Sequence, residues 1–95
     1  MENKDAKAKE LGAIRKAEHE KLCVYFREPS RMALGIAMAE IDRDVVKACE
    51  IIFYDACIAE VSDLDAYAKD TSLFMGIIPL LQSLVVVKKS LYTTL

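Results

Sequence analysis

The chain is expected to be mainly α, a small bundle of three to four helices with one short strand near residues 21–27. Two observations point there. One apolar seam recurs at helical spacing through the middle of the chain, and cap-forming side chains stand ahead of the other long apolar stretches. At 95 residues and 10.6 kDa the length supports a single domain. Yet 54% of the residues are hydrophobic and the mean hydropathy is +0.18, more apolar surface than one small core readily hides, which favours self-association or a docking partner.

Residues 2–20 are rich in Ala, Lys and Glu, strong helix formers, but only Leu11, Ile14 and Ala17 supply an apolar stripe. Residues 1–20 therefore read as a polar N-terminal helix or flexible arm, and 21–95 as a single helical domain. Over residues 21–27, Val24, Tyr25 and Phe26 favour a strand, which ends where Pro29 forces Glu28 into extended geometry. A helix over Met32–Ile41 should start at Pro29 or Ser30. Its Ala33 and Ala37, and its Gly35 and Ala39, fall four apart on two faces, where another backbone can approach closely.

Asp42 or Asp44 can cap the next helix, expected to run to about Glu60. Val45, Cys49, Ile52, Ala56 and Ala59 form its seam, widened by Val46, Phe53 and Cys57 on one flank and Ala48 and Ile51 on the other. Only Lys47, Glu50, Tyr54 and Asp55 are left to face water, so this helix belongs at a centre, completed by another subunit if one chain is too short. Val61–Asp65 reads as a loop, and Asp70, Thr71 or Ser72 can cap a last helix from about Leu73. Pro79 should kink or restart it. Residues 84–91 read as helix, with a strand pairing against 22–27 as the alternative because Val85–Val87 are β-branched.

Charge narrows the partners. Residues 40–70 hold nine acids against three bases, an acidic middle that repels phosphate and suits a basic protein surface better than nucleic acid. The longest apolar stretches, Met32–Ala39 and Leu73–Leu81, fall short of a membrane span, so no membrane role is expected. Three cysteines without a CxxC pair, and no leader-like start, suggest a reduced, cytoplasmic setting.

Catalytic chemistry finds little footing. The soft ligands His19, Cys23, Cys49 and Cys57 lack the close pairing of a zinc site, and the sole histidine lies in the most polar segment. Asp42/Asp44 and Asp63/Asp65 lack the glycine and distal glutamate of a calcium loop, and Gly12, Gly35 and Gly76 form no phosphate loop. Neither an enzyme nor a cofactor or metal is expected. The expected partner or oligomer interface is Val45, Cys49, Ile52, Phe53, Ala56, Leu73, Phe74, Ile77, Leu81 and Leu84.

Several features resemble a family: the strand ending in Tyr25-Phe26-Arg27-Glu28-Pro29-Ser30-Arg31, the segment Asp44-Val45-Val46-Lys47-Ala48-Cys49-Glu50-Ile51-Ile52 with Cys57 beyond it, an acidic loop, then Leu73-Phe74 and Lys88-Lys89. This arrangement is similar to that of small tail assembly chaperones from phages and prophages of gut bacteria, over about two-thirds of the chain. The resemblance implies a cytoplasmic protein that coats an apolar, helix-forming client such as a tape-measure protein, and that self-associates. The alternative is a structural or cargo subunit of a virion, or a bacterial helical adaptor, assembling through the same apolar faces.

Overall fold

Lys4–Glu10 forms the first helix, α1, because Asn3 caps it: the Ala6 N–H donates to the Asn3 side chain at 3.2 Å. The computed structural model describes residues 3–85 together with Leu91, Thr93 and Thr94. Gly12, at φ 95°, then turns the chain through the left-handed region that glycine alone enters freely. Helix does not continue to residue 20 as expected. Ala13–His19 is instead a strand, β1, hydrogen-bonded antiparallel to β2, Leu22–Arg27.

The reason lies in β2, not in β1. Every residue from Cys23 to Phe26 is buried, so its backbone groups need protein partners on both edges. β1 supplies one edge and overrides its own helical propensity in doing so. The other edge is closed by residues 57–63. Phe26 bridges Cys57, the Ile58 N–H donates to the Tyr25 carbonyl at 2.9 Å, and the Asp63 N–H to that of Cys23 at 2.8 Å. In return the Cys23 N–H donates to the Asp63 carboxylate at 2.9 Å and the Tyr25 N–H to Ser62 Oγ at 2.8 Å. Of residues 84–91, expected as helix or as a partner strand for β2, Leu84 ends the last described helix and 86–90 lie outside the described residues.

Ser30 caps α2 (Arg31–Glu40) and Asp44 caps α3 (Val45–Ala56), each accepting a backbone N–H three residues on. α3 stops at Ala56, short of the expected Glu60, because Cys57 and Ile58 are extended alongside β2. A 3₁₀ turn over Ala59–Val61 follows. The expected loop then gives way at Leu64 to α4, Leu64–Lys69. Asp70 caps α5, Thr71–Gly76, accepting from the Ser72 and Leu73 N–H groups. Pro79 does restart the helix: it sits in the first turn of α6, Ile78–Leu84, where its missing N–H costs nothing. The fold is mainly helical as expected, with more helices and a two-stranded sheet in place of one strand.

Two clusters fill the interior. The larger joins Val24 and Phe26 of the hairpin to Ala48, Cys49, Ile52, Phe53 and Ala56 of α3, and to Tyr67, Phe74, Ile77, Leu81 and Leu84. Phe53 is its aromatic hub, edge-on to Phe26 at 5.9 Å and to Phe74 at 5.5 Å between centroids, geometries that the ring quadrupoles favour. The smaller packs Cys23 and Tyr25, on the other face of β2, against Ala8, Ile58 and Val61. No helix among the described residues is long and apolar enough to cross a membrane.

Candidate functional site

The outer face of α2 gathers exposed apolar residues that packing among the described residues leaves uncovered. Asp55 of α3 holds the start of α2: the Ser30 N–H and hydroxyl donate to its carboxylate at 2.8 and 2.9 Å. Arg27 donates to the Asp55 carbonyl and ties the end of β2 to the same point. From there α2 lies on α3 through Ala33 and Ala37, whose small side chains are buried and permit close contact. The opposite side faces solvent. All eight residues from Met32 to Ala39 are apolar, so turning the helix exposes no polar face.

Met32, Gly35, Ile36 and Ala39 follow the i, i+3, i+4, i+7 spacing of one helix face, and all are exposed. Met32 is 77% accessible, Ile36 48% and Met38, on the flank, 44%. A helix apolar all round is normally buried all round. At the ends of this face stand Arg31 and Asp42, both exposed and neither in an ion pair among the described residues, while Arg43 pairs with Glu40 at 2.7 Å.

The residues expected at a partner interface lie elsewhere. Cys49, Ile52, Phe53, Ala56, Phe74, Ile77, Leu81 and Leu84 are buried, and Val45 and Leu73 are half-buried against the same cluster. They cover one another within the chain. The surface that remains open falls in one of the two long unbroken apolar stretches, Met32–Ala39; the other, Leu73–Leu81, buries Phe74, Ile77 and Leu81.

The polar groups around α1 and the hairpin have structural roles, while the buried Tyr67 hydroxyl has no hydrogen-bond partner among the described residues. Asp5 on α1 accepts from Lys16 at 2.8 Å and from the Tyr25 hydroxyl, pinning α1 across the hairpin. Lys16, and then Tyr25, hold the Asp5 carboxyl below its ordinary range, and Asp5, then Glu18, raise Lys16. Burial, helped by Asp5, pushes the Tyr25 phenol up to about 12. Burial also pushes the thiols of Cys49 and Cys57 up, away from the thiolate form a nucleophile needs. His19 is exposed at the end of β1, 3.9 Å from Glu20. No group of three or more His, Cys, Asp or Glu side chains among the described residues is placed to hold a metal ion. No known protein family, curated protein or solved structure matches the chain.

Proposed function

We propose that this protein is a non-enzymatic protein-binding factor that takes an apolar α-helix of its partner onto the outer face of α2. The observation that carries this reading is the uncovered apolar arc of α2, held rigidly on α3 by Ala33, Ala37 and the Ser30–Asp55 hydrogen bonds. Helix-in-groove and helix-on-helix docking use this kind of surface, with apolar anchors at i, i+4 and i+7. The acids Asp42 and Asp44 beyond the C-terminal end of α2 suit a helix with basic residues at one end. The finer reading is that of a tail-assembly chaperone acting in the host cytoplasm. It is supported by the family resemblance and by the chemistry such a role needs: an exposed apolar helix face that keeps a tape-measure-like client soluble.

Co-expression with a tape-measure protein tests this reading. The wild-type chain should co-elute with the client and raise its soluble yield. Ile36→Asp should abolish both while leaving the circular dichroism spectrum unchanged, because Ile36 is half exposed. Co-elution that survives Ile36→Asp and Met32→Asp would remove α2 as the docking face.

A further inference from the structure

Resting on the reading of α2 as a docking face, we infer that in the free protein this face is occupied by α2 of a second copy of this chain, packed antiparallel about a two-fold axis. The face is self-complementary in shape. When two copies of Arg31–Glu40 run antiparallel about a point between Gly35 and Ile36, Met32 of each copy meets Ala39 of the other, and Ile36 meets Gly35. Each large side chain falls on a small one.

Gly35 itself is unexplained within one chain. A Cβ built there meets nothing within 4 Å, and the residue is an ordinary helical position, where glycine is among the weakest formers. Bare backbone at the centre of an exposed apolar face lets a second helix approach closely.

Charge sets the orientation. At the N-terminal end of the face Arg31 is exposed and in no ion pair among the described residues, and at the C-terminal end the same holds of Asp42, while Glu40 is paired with Arg43. In this register antiparallel packing sets each Arg31 opposite the other copy's Glu40 and two residues from its Asp42, twice per dimer. Parallel packing would set like charges together. The open patch amounts to roughly 300–400 Å² per copy, against the ~800 Å² that each partner of a standard interface contributes. The dimer is therefore weak and rapidly exchanging, which leaves the face available to a client helix.

Sedimentation velocity of the full chain from ~10 µM to ~1 mM, at low and high salt, reads the dimer directly. The mass should rise from 10.6 kDa toward twice that value. Arg31→Asp and Asp42→Arg should each weaken the dimer about fivefold to tenfold at low salt, and the double variant R31D/D42R should restore it. Both single substitutions place charge favourably for the helix dipole, so folding is not put at risk. A mass that stays at 10.6 kDa at ~1 mM, or a double variant no stronger than the single ones, overturns the inference. A chain that is monomeric yet loses its client on Ile36→Asp leaves the docking reading standing without the dimer. Loss of neither client nor dimer on Ile36→Asp removes both.

Discussion

The same chemical change at two isoleucines distinguishes a covered helix face from an open one. Ile52 on α3 is 0% accessible, while Ile36 on α2 is 48% accessible. Truncation to alanine removes three carbons, about 0.8 kcal/mol each when fully buried, or about 2.4 kcal/mol. At Ile52 the cavity left among Phe53, Ala56 and Leu81 adds about 1 kcal/mol, so Ile52→Ala should cost about 3–4 kcal/mol. At Ile36 only about half of the transfer free energy is at stake and solvent fills the space. Alanine's better helix propensity returns about 0.4 kcal/mol, so the net cost should be about 0.8 kcal/mol. Urea unfolding at ~5 µM, where self-association is negligible, should show a gap of about 2–3 kcal/mol between the variants. At ~500 µM the wild type should gain stability through dimerisation and Ile36→Ala should gain less. An Ile36→Ala cost at ~5 µM equal to that of Ile52→Ala would mean that the chain covers the face itself, and would refute the docking argument at its root.

Glu20 turns the hairpin at φ 55°, a region that costs a residue with a Cβ about 1–2 kcal/mol. Allowing for glycine's freer unfolded state, Glu20→Gly should stabilise by about 0.5 kcal/mol, read from the urea midpoint; a loss of stability would disprove strain at that turn. Ser62→Ala removes the acceptor of the Tyr25 N–H in a buried strand and should cost about 1–3 kcal/mol, with faster exchange of that amide. Asp63→Asn, which keeps an oxygen for the Cys23 N–H, should cost less than Asp63→Ala. The raised Tyr25 phenol contributes stability that is complete below its unfolded value of 10.0 and is lost as pH rises toward about 12. Tyr25→Phe should flatten that fall in a pH series of urea midpoints, and an unchanged slope would assign it to another group.

Local signals in the chain were reliable where one or two neighbouring residues settle the outcome. Ser30, Asp44 and Asp70 each accept the backbone N–H groups that their positions ahead of apolar stretches imply, and Pro79 begins a helix where it cannot continue one. The outward set of α3 was also legible: Lys47, Glu50 and Tyr54 are exposed, and Asp55 is half-buried by its bonds to Ser30. Of the apolar residues expected at an interface on α3, α5 and α6, eight are buried and Val45 and Leu73 half-buried in the folded chain, a packing that local spacing does not report.

Residues 13–19 and 57–63 show why the rest was out of reach. Ala13–His19 carries a helical composition, and nothing local to it reports that β2, buried on both faces, requires backbone partners on both edges. Cys57–Asp63 reads as a helix end and a loop, yet supplies the other edge of that strand. The fate of the two most apolar helices was settled the same way. The composition of Met32–Ala39 and of Val45–Ala56 states that each prefers to leave water, but not which of them finds cover. In the folded chain α3 lies between α2 and the hairpin with α6 and buries most of its circumference, leaving Lys47, Glu50 and Tyr54 to water, while α2 packs chiefly on α3. Caps, breaks and apolar spacing are written locally because they act over three or four residues. The allocation of a limited interior among competing apolar surfaces is a property of the whole assembly, and it leaves the face of Met32, Gly35, Ile36 and Ala39 open.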